Sequence, residues 1–310
     1  MKQDYDPFIV GSFTILTREF EIVDLNRQSR FACDLWCPAE AGRYPLVIYS
    51  HPSTFHRKAA TFLCTHLTSH GYVVAAMDHS ESVVPELKRP QEETAEQQAA
   101  RWQAVIDRRV PDVRLLLDRV LDEQASRIEF DQVGIVGHSF GGWTALAAPE
   151  VEPRIRSVVA LAPGGASNPR PGILPVTLTF NWKSAVPTLY LVAENDVALP
   201  LAGMYELFER TPAAKRMLIL RRADHAHFMD NVEQMHEAAR TASATGDYAA
   251  MQKEMLPITE LCSGEQAHLF VRGLTLAHFD ATLKGRSEAR HFLDGDVQAD
   301  LARRGIDAIT

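Results

Sequence analysis

Residues 131–143 read DQVGIVGHSFGGW. The apolar run Val133–Val136, with Gly134 inside it, gives way to Gly137-His138-Ser139-Phe140-Gly141-Gly142. Serine is a poor strand residue and by itself a weak nucleophile, so its place between two glycines asks for a geometric reason. A G-x-S-x-G pentapeptide directly after a strand and before a helix is a nucleophile elbow, a tight turn that tolerates only small neighbours. Such a turn pushes the serine Oγ out at the carboxyl end of the strand, where ligands of open α/β sheets bind. The helix then begins beside it, so that the Phe140 N–H can face a developing negative charge.

The flanking sequence supplies the strand and the helix. YPLVIYS at 44–50 is a continuous apolar run, as expected of a strand covered on both faces. KAATFLCTHLTSHG at 58–71 reads as a helix ending at Gly71, followed by the strand YVVAAMD. An amphipathic helical region from Glu92 to Gln124 is interrupted near Pro111. After the elbow come the strands RIRSVVALA and TLYLVA, a helix over 200–210 and the strand RMLILR. This alternation predicts a mostly parallel central sheet flanked by helices. Residues 12–37 predict an antiparallel hairpin split by DLNRQSR. Residues 163–187 hold five prolines and three glycines and read as a shaped loop. Residues 231–264 read as a helical insertion, a candidate lid, before a final helix over 265–284. One domain, 1–310, accounts for the whole chain.

A nucleophilic serine needs a base, and the base an orienting acid, in the chain order Ser, Asp or Glu, His. After TLYLVA comes Glu194-Asn195-Asp196, and after RMLILR comes Asp224-His225-Ala226-His227. Asp196 is preferred over Glu194, because the residue nearer the strand is held in its last pairing. His225 is preferred over His227. A His-x-His pair also fits a metal, but no cysteine or carboxylate cluster completes a ligand set. No cofactor is expected. The loop Ser50-His51-Pro52-Ser53-Thr54 stands where a second oxyanion donor belongs; Pro52 has no N–H, which leaves Ser53 to pair with Phe140. Phe55, Trp143 and Trp182 are candidates for the wall of an acyl cavity, and the scattered histidines 51, 56, 66, 70 and 79 read as structural or solvated.

The 310 residues are 46% hydrophobic and 23% charged, with a net charge of −8 and no Lys/Arg run, which disfavours a nucleic-acid partner. No apolar run reaches the roughly 18 residues of a membrane span. MKQDYDPF has no apolar core and does not read as a secretory signal. Cys33, Cys37, Cys64 and Cys262 lack paired metal spacing and read as free thiols of a reducing, cytoplasmic compartment.

Together, PLVIYSHPST, LTSHGYVVAAMDHSES, GIVGHSFGGW, VAENDVALP and ADHAHF make the chain resemble the α/β-hydrolase superfamily. More narrowly it is similar to the branch of dienelactone-hydrolase-like proteins, platelet-activating-factor acetylhydrolases and polyester-hydrolase-type carboxylesterases. The tail FLDGDVQADLARRGI points to the dienelactone-hydrolase-like group. The resemblance implies Ser139 as nucleophile, Asp196 as acid and His225 as base. Acetylhydrolases tend to carry the acid one strand earlier, where this chain reads VALAPGGASN and offers no carboxylate. The expectation is a serine hydrolase of small carboxylic esters. The alternatives are an amidase, peptidase or acyltransferase with the same triad, or a ligand-binding module that has kept the scaffold.

Overall fold

The computed structural model describes residues 5–88, 90 and 92–310. The chain opens on the expected hairpin, β1 (Ile15–Asp24) and β2 (Ser29–Pro38), paired antiparallel from Ile15 opposite Pro38 to Asp24 opposite Ser29. The alternating series follows: β3 (Tyr44–Ser50), α1 (Thr61–Ser69), β4 (Val73–Met77), the single turn α2 (Ser80–Val83), α3 (Ala95–Glu123) and β5 (Ile128–His138). It continues with α4 (Phe140–Ala147), β6 (Ile155–Leu161), β7 (Thr188–Ala193), α5 (Leu201–Arg210) and β8 (Lys215–Leu220). The insertion holds α6 (Val232–Thr241) and α7 (Gly246–Gln252); α8 (Gly264–Thr282), α9 (Ser287–Asp294), α10 (Val297–Arg303) and β9 (Ala308–Ile309) end the chain.

Among the described residues the strands form one sheet in the order β1-β2-β4-β3-β5-β6-β7-β8-β9. The run from β4 through β8 is parallel, and the antiparallel members lie at the two ends. The order reverses around β3, which lies between β4 and β5, so the loops after β3 and β5 leave the same sheet edge side by side. This is the crevice position where open α/β sheets bind ligands.

Strand alternation divides the core into two layers. Leu46, Ile48, Ile135, Val158 and Tyr190 face one side, against α3, α4 and α5. Val47, Tyr49, Val136, Val159 and Leu191 face the other, against α1 and α8. Both faces are thus covered, which is why these strands read as continuous apolar runs rather than as alternating ones.

Two expectations change. The interruption near Pro111 is absent: α3 runs unbroken over 29 residues. Proline removes one intrahelical hydrogen bond, but buried Val105, Val113, Leu116, Leu117 and Val120 form one stripe that anchors the helix on both sides of it. The helix after the insertion is also not the last, because α9 and α10 follow it and return the chain to pair β9 with β8. No helix among the described residues is long and apolar enough to cross a membrane.

Candidate active site

Ser139 joins β5 to α4 with φ 58° and ψ −118°, a conformation that non-glycine residues rarely hold unless the surroundings impose it. The surroundings here leave no room for side chains two residues to either side of it. A Cβ at Gly137 would stand 2.1 Å from the Gly141 carbonyl oxygen, and one at Gly141 would stand 2.0 Å from that of Ser50. The Ser139 N–H donates to the Leu161 carbonyl at 2.9 Å, which ties the turn to β6. Its own carbonyl accepts from Trp143 N–H at 3.0 Å and Gly164 N–H at 3.1 Å.

Asp196 follows β7 and is buried. One of its oxygens, Oδ1, accepts the N–H groups of Ala198 at 2.9 Å and Leu199 at 2.8 Å. The other, Oδ2, lies 2.6 Å from His225 Nδ1. The His225 ring in turn sits 4.6 Å, centroid to centroid, from that of His138, the residue before Ser139. Burial opposes a charged His225, but the neighbouring Asp196 charge and hydrogen bond, with Asp224 behind them, hold its imidazole above the usual histidine range. The Asp224 carboxylate also accepts the His225 N–H at 2.6 Å, fixing the backbone of the loop.

The competing residues are occupied elsewhere. Glu194 faces Arg221 at 3.2 Å and accepts the Arg222 N–H at 3.0 Å. His227 is fully buried; its Nδ1 accepts from the Asp224 N–H at 3.0 Å, and its Nε2 lies 3.1 Å from the Cys262 carbonyl. Both ring nitrogens are used, and burial pushes its pKa down to about 4. His227 is a pin between the loop after β8 and the far end of the insertion.

Ser53, Phe55, Ser139 and Phe140 all line one cavity of about 730 Å³. Trp143 and Trp182, expected in its wall, are not there. Trp143 stacks on Phe140 at 5.3 Å and donates from Nε1 to the Thr177 carbonyl at 2.7 Å, which places it in the core. Trp182 donates from Nε1 to Leu146 O at 3.1 Å and packs edge-on to Phe180. The aromatic wall that sequence reasoning missed is Trp102, with Val105, from α3, opposed by Leu174 and Val176 of the proline-rich loop. A signal for it existed, since Trp102 and Val105 are three apart on the apolar stripe of α3.

The insertion reaches this cavity through Tyr248 on α7. Arg170 couples the proline-rich loop to the insertion by pairing with Glu254, while its Nη1 donates to the Val197 carbonyl beside Asp196 at 2.9 Å. At the other end of the insertion, Glu233 accepts the Gly264 N–H at 2.7 Å, and His236 Nε2 lies 2.8 Å from the Leu256 carbonyl.

A family model described as Chlorophyllase matches residues 7–189, which include the elbow and the Ser53 loop and stop before Asp196 and His225. Platelet-activating factor acetylhydrolase of Cavia porcellus is 26% identical over 227 residues, covering 62% of this chain and 50% of that protein. Cutinase 1 of Thermobifida cellulosilytica is 26% identical over 200 residues, 64% of this chain and 66% of that protein. The chain therefore spans half of the one relative and just under two thirds of the other. Among solved structures, a ferulic acid esterase from Streptomyces cinnamoneus superposes with a TM-score of 0.63 at 22% identity, covering 88% of this chain and 91% of that one. The likeness to that structure is one of fold, the α/β-hydrolase fold.

Proposed function

Because the chain belongs to the Chlorophyllase family, we propose that it hydrolyses carboxylic esters through Ser139, with His225 as base and Asp196 as the acid that orients it. The observation that carries this reading is the 2.6 Å His225–Asp196 hydrogen bond beside a strained elbow serine. Relatives named acetylhydrolase, cutinase and ferulic acid esterase support the same reaction class.

In this reading His225 takes the Ser139 proton as Oγ attacks the ester carbonyl. The backbone N–H groups of Ser53 and Phe140 receive the negative charge of the tetrahedral intermediate, each typically worth about 3–4 kcal/mol of transition-state stabilisation. Protonated His225 then gives its proton to the leaving alcohol, and neutral His225 activates a water against the acyl-enzyme. Asp196 holds the imidazole with Nε2 free and steadies the imidazolium without itself taking the proton. The cycle uses only these groups and water. The cavity lined by Trp102, Val105, Leu174 and Val176 takes the apolar part of the substrate, and the 231–264 insertion closes its mouth through Tyr248.

The test is a series of p-nitrophenyl esters of increasing acyl length, run on the wild-type enzyme and on Ser139→Ala. Removing the nucleophile of a coupled triad lowers kcat by about 10⁶ in a studied protease, and a loss of that order is expected here. Turnover by Ser139→Ala within about tenfold of wild type contradicts the assignment.

A further inference from the structure

Arg109 lies on α3 at a position of the buried stripe, three residues before Asp112 and four before Val113, and is 0% exposed. Val105 and Val113, four residues to either side of it on that stripe, are apolar, and a methionine or leucine would fill the space. A buried guanidinium instead costs several kcal/mol unless it is paired and hydrogen-bonded. Arg109 meets that demand through its two Nη groups, its Nε having no partner among the described residues. The partners it has gathered are specific. Nη1 donates to the His51 carbonyl at 2.7 Å and reaches Ser50 Oγ at 3.3 Å. Nη2 reaches the Pro52 carbonyl at 3.4 Å and pairs with the buried carboxylate of Glu81. The guanidinium plane also lies over the Phe140 ring, 4.2 Å from its centroid.

Two of those contacts fall on successive peptides, His51–Pro52 through the His51 carbonyl and Pro52–Ser53 through the Pro52 carbonyl. The Pro52 carbonyl accepts two further hydrogen bonds, from His51 Nδ1 at 2.7 Å and from the Phe55 N–H at 3.3 Å, while His51 Nε2 accepts from the His79 N–H at 3.0 Å. Only the neutral Nδ1–H tautomer satisfies both His51 contacts. Burial, with Arg109 and His79 alongside, holds His51 well below the ordinary imidazole range, so that tautomer persists. In a planar trans peptide the C=O and the following N–H point in opposite directions. Holding the Pro52 carbonyl on the Arg109 side therefore turns the Ser53 N–H of the same peptide the other way, and Ser53 and Ser139 line the same cavity.

We propose that Arg109, with Glu81 as its counter-ion, is the positioning residue that builds the oxyanion site, by fixing the Pro52–Ser53 peptide and seating the Phe140 side chain at the same time. The proposal rests on the ester-hydrolase reading above. Arg109 does not touch substrate. It acts on the transition state alone, by keeping two N–H groups in register.

Arg109→Lys tests this. Lysine keeps a positive charge near Glu81, but its point-like ammonium cannot reproduce the planar fork that spans both carbonyls. Three quantities are read: kcat and KM for p-nitrophenyl butyrate, the inhibition constant of an aryl trifluoromethyl ketone, and the thermal midpoint. The ketone forms a hemiketal oxyanion on Ser139, so its affinity reports the oxyanion site directly. The expected result is a kcat about 10²-fold lower, a KM little changed, and ketone affinity reduced by the same factor as kcat. A second pair guards against poor folding of Arg109→Lys. Glu81→Gln, whose amide oxygen still accepts from Nη2, should keep near-normal kcat, while Glu81→Ala should lose about tenfold or more. A folded Arg109→Lys with unchanged kcat and ketone affinity overturns the proposal, as does equal kcat in the two Glu81 variants. A wild-type enzyme that turns over no ester overturns the ester-hydrolase reading and this inference together. An active wild type with indifferent variants overturns this inference alone.

Discussion

Asp196 Oδ2 lies 2.6 Å from His225 Nδ1, and its second oxygen is held by the backbone N–H groups of Ala198 and Leu199 at 2.9 and 2.8 Å. The carboxylate is therefore fixed from behind by its own loop and presents one oxygen to the imidazole. Asp196→Asn retains the shape but offers an amide that no longer selects the tautomer with Nε2 unprotonated. A kcat about 10⁴-fold lower is expected, measured at saturating substrate, with the fold retained. Glu194→Gln should leave kcat near wild type, since Glu194 faces Arg221 and Arg222. An inactive Glu194→Gln beside an active Asp196→Asn would move the acid to Glu194.

The two histidines of ADHAHF separate by pH. The active form of the base is the neutral one, so kcat/KM falls as pH drops through its pKa. His225 is held above the usual value near 6.5 by Asp196, which places the acid limb of the profile above pH 6.5. His227, pushed down to about 4 by burial, would give a limb near that pH instead. His227→Ala should mainly lower the thermal midpoint, because it leaves the Asp224 N–H and the Cys262 carbonyl without their partner. An acid limb near pH 4, or a His227→Ala enzyme as inactive as His225→Ala, would transfer the base role to His227.

Tyr248 is the side chain by which the insertion meets the cavity. Tyr248→Ala should shift the preferred acyl length on the p-nitrophenyl series while leaving the acetate ester almost unaffected, because a short acyl group does not reach the mouth. An unaltered preference would make the insertion a packing element and leave substrate choice to the proline-rich loop. Removing the insertion outright is a poorer experiment. His227, Glu233 and, through its 3.5 Å approach to Asp224, His236 tie it to the loop that carries His225 and to the start of α8.

The elbow was legible in the sequence because its constraint is steric and local. Gly137 and Gly141 stand two residues on either side of Ser139, and the structure places carbonyl oxygens where their side chains would be. The parallel sheet was legible for a related reason, since strands covered on both faces show as unbroken apolar runs. Arg109 escaped notice because its partners, Ser50, His51, Pro52 and Glu81, lie 28 to 59 residues away. On an amphipathic helix rich in arginine, one more charge reads as solvated. Its place on the stripe with Val105 and Val113 was the available signal. Trp143 and Trp182 misled because closeness in sequence to the elbow and to the proline-rich loop says nothing about which way an indole turns. Each turned to a backbone carbonyl within the core. β9 is two residues long and exists only through its pairing with β8, a contact no local pattern announces.

The central claim, that Ser139 is an activated nucleophile, is tested most directly by covalent labelling. The wild-type enzyme is treated with diisopropyl fluorophosphate, and intact mass, residual ester turnover and the modified peptide are followed together. One phosphoryl adduct per chain is predicted, mapped to Ser139, with turnover lost in proportion to labelling and no adduct on His225→Ala. A fully active enzyme that takes up no label, or an adduct on another residue that accounts for the lost turnover, would contradict it.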